Sequence, residues 1–195
     1  MLAGASGSVD GQAQYVGIPK VEFDAVYAEQ ENSEWCWAAS IQMILNYYGI
    51  NISQAEIVAR SYGVSPTGDL PDWSGSWDVI TANLNNWSID DNGTHYVVSA
   101  AMGTGPPPPA LLVSELSSQR PVLVAYMSSP QTGHAVVATA VSYAPSMMGP
   151  IVASIIVRDP WPSPANIAFE GHVEYPGSVL ARDITAYWII RVASQ

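Results

Sequence analysis

The most strongly apolar stretch of the chain runs from Asn32 to Gly49, through Glu-Trp-Cys-Trp-Ala-Ala-Ser-Ile-Gln-Met-Ile-Leu-Asn-Tyr-Tyr. Ile41, Met43, Ile44, Leu45 and Tyr48 fall on more than one helical face, so the pattern predicts a helix buried in the centre of the domain. Asn32 or Ser33 offers an N-cap and Gly49 a stop. Ser53-Gln54-Ala55-Glu56 has the spacing of a capping box and predicts a second helix to about Ser61, before Gly63. A third helix is predicted over Trp77 to Trp87. A fourth, over Ala110 to Ser118, follows the prolines 106–109, because proline suits a helix start.

Beyond Arg120 the pattern turns to short runs rich in Val, Ile and Tyr, bounded by Gly, Pro and Ser: residues 121–127, 134–143, 151–158, 167–175 and 185–192. These predict strands. Helices first and strands later give an α+β fold with an antiparallel sheet. Met1 to about Gln14 is small and polar without periodicity, which predicts a flexible arm, with an activation segment as the alternative. The expected organisation is an arm over 1–20 and one domain over 21–195, helical to about residue 120 and sheet-forming from 121.

Composition narrows the function classes. Of 195 residues, 48% are hydrophobic, enough for a packed core and too many for a disordered chain. Seventeen acidic residues against 6 basic ones leave a formal charge of −11, which repels phosphate backbones and anionic membranes and favours basic or neutral partners. Neither nucleic-acid binding nor membrane insertion is expected. One cysteine cannot form an internal disulfide or a multi-thiolate zinc site, and no metal or cofactor is expected. Met1 to Pro19 lacks the basic start and apolar stretch of a secretory leader. The chain therefore reads as soluble, either cytoplasmic or exported by a leaderless route, with its oligomeric state left open.

The single cysteine, Cys36, falls in the first turn of the predicted central helix. Free N–H groups and the positive end of the helix dipole favour an anion there, and a thiolate is an anion. A nucleophile needs a base, and the base needs a partner to orient it. His134 opens an apolar strand after a polar loop, and Asp159 ends another strand just before Pro160-Trp161. Gln30, six residues before Cys36, could donate to the oxygen that becomes negative during attack on a carbonyl. His95 and His172 have no ligand-like spacing and read as structural. Asp69, Asp72 and Asp78 sit in a polar loop that is either solvated or lines a cleft.

Gln30, Cys36-Trp37, His134 and Asp159 resemble, in order and type, the papain-like cysteine peptidases, in which a Gln six residues before the nucleophile completes the oxyanion hole and His then Asn or Asp follow on the sheet. Trp161 matches a Trp that often covers the His–carboxamide contact. The lysosomal signature is met only by Cys36-Trp37, and His134 follows at a shorter spacing than in that branch. The phrase CWAASIQMILNYYG, with GHAVV and a later DPW, looks more like the compact bacterial relatives, the plant-pathogen effector proteases and bacteriocin-leader peptidases. The resemblance implies a central N-terminal helix packed on a C-terminal antiparallel sheet. It also implies hydrolysis of a peptide or protein substrate through a thioester on Cys36, with His134, Asp159 and Gln30 catalytic and Trp37 and Trp161 at the substrate. An acyl transferase or ligase on the same fold, and a non-catalytic binding module, remain alternatives.

Overall fold

The structure, a computed structural model, describes residues 12–194. In chain order it contains strand β1 (Gln14–Gly17), helices α1 (Lys20–Asp24), α2 (Cys36–Tyr47), α3 (Gln54–Tyr62) and α4 (Trp77–Asn83), and strands β2 (Asn86–Ile89) and β3 (His95–Thr104). Then come α5 (Pro109–Ser117), β4 (Val122–Ser129), β5 (Thr132–Ala144), β6 (Ile151–Arg158), α6 (Pro164–Ala168), β7 (His172–Pro176), α7 (Gly177–Asp183) and β8 (Ile184–Ser194).

The strands form one antiparallel sheet in the order β2-β3-β8-β4-β5-β6-β7, with β1 also paired to β5. Both faces are covered, which explains why β4 reads as the nearly unbroken apolar run Val-Leu-Val-Ala-Tyr. Leu123 and Ala125 belong to the core shared with α2, α3 and α4, whereas Val122 and Val124 face a second core built with Leu112 and Leu116 of α5 and Leu180 of α7. Helix α2 packs on β5, and the hydroxyl of fully buried Ser40 donates to the Ala135 carbonyl at 3.1 Å. That contact fixes the height of the helix against the strand carrying His134.

The expected central helix, the Ser53–Glu56 capping box and the strand over 151–158 are present as read. Other expectations need correction. The region up to residue 120 is not purely helical: the third helix stops at Asn83 and is followed by the β2–β3 hairpin. Strand β3 owes its place to pairing with β8 at the far end of the chain, a partner that local pattern does not reveal. The strand expected over 167–175 begins only at His172, because Ser163 caps a short helix with Pro164 in its first turn. Helix α7, directly before β8, was not anticipated.

Most of the expected arm, residues 1–11, lies outside the described residues. Gln14–Gly17 are a strand, and Lys20 belongs to α1. Gly17 fits against β5 because a Cβ there would stand 2.3 Å from that of Ala140. Among the described residues no helix is long and apolar enough to cross a membrane.

The packing of α2 predicts a sharp contrast in stability. Ile41→Ala, at a fully buried position, should cost about 2–5 kcal/mol. Trp87→Ala, at a position 75% exposed, should stay within about 0.5 kcal/mol of wild type. Urea unfolding of both variants checks the pair.

Candidate active site

Helix α2 starts without a side-chain cap. Its N-cap residue is Trp35, with no capping hydrogen bond, and the expected cap Ser33 is engaged elsewhere: its hydroxyl donates to Asp72 at 2.6 Å. The same carboxylate accepts the Glu34 N–H at 2.8 Å, and these bonds, Ser33 first, hold the Asp72 carboxyl below its ordinary range. The first-turn N–H groups, with Cys36 among them, are thus left to whatever occupies the cleft.

The loop that carries Asp72 is fastened along this helix start. The Trp35 indole N–H donates to the Pro71 carbonyl at 2.9 Å, the Trp37 indole to the Trp73 carbonyl at 3.1 Å, and Ser74 donates to Glu34. The acidic loop noted in the sequence therefore clamps the nucleophile segment through Asp72. On the other side, Gln54 of α3 holds the chain around Gln30. Its Oε1 accepts the Glu31 N–H at 3.0 Å and its Nε2 donates to the Glu29 carbonyl at 2.7 Å.

His134 lies near the start of β5, opposite Tyr126 of β4. Its Nε2 is 2.7 Å from Asp159 Oδ1, and Cys36 and the ring line the same two cavities. Burial alone would lower the imidazole pKa. The hydrogen bond to Asp159, with Cys36 close by, outweighs it and holds the ring up at about 9. The Tyr126 ring stands edge-on to His134, with centroids 5.6 Å apart and planes at 86°. Burial, then a hydrogen bond with Tyr175, drives the Tyr126 phenol far above its ordinary pKa, so it is a neutral wall.

Asp159 is held by its backbone as well as by His134. Its N–H donates to the Gly171 carbonyl at 2.8 Å, its carbonyl accepts the Tyr27 hydroxyl at 3.1 Å, and its Oδ1 also accepts the Trp161 N–H at 2.9 Å. Gly171 has φ +66°, and a Cβ there would meet the Tyr27 ring at 2.4 Å and the Asp159 carbonyl oxygen at 2.5 Å. Only glycine satisfies both constraints.

The structure thus brings Cys36, His134 and Asp159 together. Gln30 does not line either cavity of the cleft. Its N–H donates to the Pro160 carbonyl at 2.9 Å, its Nε2 donates to the carbonyls of Asn32 at 2.9 Å and Ser33 at 2.7 Å, and its Oε1 is buried without a partner. Trp161 is about half exposed and lines the cleft. Trp37 is 1% exposed and lines the smaller cavity beside Cys36. Neither His95 nor His172 lines the cleft.

Two cavities meet at Cys36, Tyr126, Gly133 and His134. One, of about 390 Å³, is bounded by Ser33, Glu34, Ser128, Thr132 and Trp161; the other, of about 200 Å³, by Trp37, Gly75, Trp77, Ile80 and Met127. Tyr126, Tyr27 and Gly171 were not singled out from sequence. Among the described residues no group of three or more His, Cys, Asp or Glu converges as metal ligands.

The sequence pattern of the Peptidase_C39 like family matches residues 22–175, which contain all of these groups. The chain belongs to that family. It is a papain-like cysteine peptidase with a mixed helix and antiparallel-sheet fold. Among solved structures it is similar to the peptidase domain of Streptococcus ComA, a bi-functional ABC transporter involved in a quorum sensing pathway, with TM-score 0.55 and 15% identity over 86% of this chain and 97% of that one. It also matches a double glycine motif protease from an AMS/PCAT transporter in complex with the leader peptide, at TM-score 0.47 and 17% identity over 93% of this chain and 94% of that one. No curated protein matches the peptidase.

Two predictions follow from the geometry around the imidazole. Because its folded pKa of about 9 lies above the ordinary 6.5, the stabilisation from protonated His134 should be complete below about pH 6.5 and lost as pH rises through about 9. NMR titration of His134 should show that midpoint, and Asp159→Asn should lower it. Gly171→Ala should destabilise the peptidase by roughly 1–3 kcal/mol through strain and overpacking, and should also reduce kcat by displacing Asp159, as thermal unfolding and peptide turnover would show.

Proposed function

We propose that this peptidase hydrolyses peptide bonds of a polypeptide substrate through a thioester on Cys36. The observation that carries the reading is the placement of the chain's sole cysteine at an uncapped helix start, beside an imidazole whose other nitrogen is clamped at 2.7 Å by Asp159. Cys36 Sγ attacks the scissile carbonyl, and the negative oxygen that forms is received by the Cys36 N–H and its helix-start neighbours. The His134 imidazolium gives its proton to the departing amine as the C–N bond breaks. Water then attacks the thioester, His134 takes its proton, and the C–S bond breaks to release the acid. Asp159 keeps the ring oriented throughout.

Gln30 is the second oxyanion donor in this scheme. Both hydrogens of its Nε2 rest on loop carbonyls, and one of these is exchanged for the substrate oxygen when the acyl group arrives. Trp161 covers the Asp159–His134 contact and borders the substrate on that side.

Peptide turnover with single variants tests the scheme. Cys36→Ala and His134→Ala should each lower kcat by roughly 10⁴-fold or more, and Gln30→Ala by about 10²–10³-fold with little change in KM. Iodoacetamide should label Cys36 faster than a thiol in an unstructured peptide. Full activity of Gln30→Ala would remove that residue from the scheme, and labelling at the free-thiol rate would remove the activated nucleophile.

A further inference from the structure

Strand β6 runs apolar and buried through Ile155, Ile156 and Val157 and then ends on an arginine. Arg158 is 1% exposed, and a guanidinium so placed gives up hydration that an apolar side chain of similar size would not. It touches two segments remote in sequence. Nη1 lies 2.6 Å from Asp24 Oδ1 at the end of α1 and donates to the Glu170 carbonyl at 2.9 Å. Nη2 donates to the Lys20 carbonyl at 3.3 Å, and the guanidinium carbon stands 5.8 Å from the centre of the Phe23 ring. Lys20 Nζ joins the same cluster, at 2.7 Å from Asp24 and 3.2 Å from Glu170.

A second anomaly lies where that cluster meets the loop before β7. Glu170 has φ +50° and Gly171 φ +66°, so two left-handed residues stand in succession. Glu170 follows α6 and its last cap residue, in the position that glycine usually takes, and for glutamate this backbone carries a cost. Such strain persists where the surroundings enforce it. The carbonyl that Arg158 holds belongs to the peptide joining these two residues, and the next carbonyl, that of Gly171, accepts the Asp159 N–H at 2.8 Å. One corner of chain thus links a buried cation on one side to the backbone of Asp159 on the other. Asp159 in turn holds His134 at 2.7 Å.

Resting on the peptidase reading above, we propose that Arg158 is a positioning residue for the reaction: with Asp24 as its counter-ion it clamps the left-handed Glu170–Gly171 corner against α1, and that corner fixes where Asp159 meets His134. Helix α1 is thereby part of the catalytic framework, although none of its residues lines either cavity of the cleft.

The test compares wild type with Arg158→Met, Asp24→Asn and the double variant Arg158→Met with Glu170→Gly, by peptide turnover, thermal unfolding and NMR titration of His134. Methionine occupies similar space without charge, and Asp24 keeps Lys20 and a share of solvent, so Arg158→Met should remain folded. Its kcat should fall roughly 10–100-fold, as misplacement by an ångström does, with KM within about threefold of wild type. The His134 midpoint should fall from about 9 as the Asp159 contact loosens. Deleting a cation would by itself move it upward, so a fall reports movement of Asp159. A glycine at position 170 takes the turn without being held, and the double variant should recover part of the lost kcat and of the midpoint. Asp24→Asn, which keeps the shape and removes the charge, should lower kcat in the same sense, and it decides the matter if Arg158→Met does not fold. Wild-type kcat in Arg158→Met and Asp24→Asn, a lowered Tm with an unchanged midpoint, or no recovery in the double variant overturns the inference and leaves the peptidase reading standing. The titration needs no turnover. If wild type cleaves no peptide and its Cys36 is labelled at the free-thiol rate, the peptidase reading fails, while the midpoints still judge the clamp.

Discussion

The structure depends on a helix that is fully packed along its length and left open at its first turn. An apolar helix whose side chains are buried on nearly every face can occupy only the middle of the domain. Its N-terminal N–H groups must then find partners in a region with little water. Most proteins place a Ser, Thr, Asp or Asn there. Here Ser33 turns aside to Asp72 and Trp35 holds the cap position without capping. The helix start therefore presents free N–H donors and the positive end of the helix dipole to the cleft at Cys36. Because the helix cannot slide or tilt without breaking its core, they stay aimed at one point.

The rest of the fold brings a base to that point and keeps it there. Strand β5 is packed against α2 on one side and against α5 on the other, so His134 rides on a strand buried from both faces. Strand β6 lies next to it and delivers Asp159 just past its last residue. Loop segments normally bring disorder to such a site, but those here are tied at several points. Residues 71–74 hang on two indole N–H groups and on Glu34, residues 29–31 on Gln54, and residues 159–161 on Gly171, Tyr27 and Gln30. Two of the three tryptophans nearest the nucleophile, Trp35 and Trp37, act as struts through their N–H groups.

What could be read from sequence divides along the range of the interaction. The α2 helix, its stop at Gly49 and the Ser53–Glu56 box are local events, written within a few residues, and they stand as expected. Cys36, His134 and Asp159 were legible because each sits at an element boundary that the pattern marks. The β2–β3 hairpin was not, since residues 95–104 are poor in β-branched side chains after Val98 and are held in the sheet by β8, nearly ninety positions away. Tyr126 was hidden for a related reason. Within Val-Leu-Val-Ala-Tyr it looks like one more core residue, and only its cross-strand register opposite His134 gives it a place in the cleft. The orientation of Gln30 depends on which carbonyls the loop presents, and no spacing rule encodes that.

The charge of the whole chain and the lining of its cleft act over different ranges. A formal charge of −11 acts over a distance set by the Debye length, about 8 Å at physiological ionic strength, and raises the local concentration of cationic chains near the surface. Inside the cleft the rules change. Glu34 borders the larger cavity, and both cavities share His134, whose pKa is held up at about 9. Salt weakens the long-range effect of the net charge.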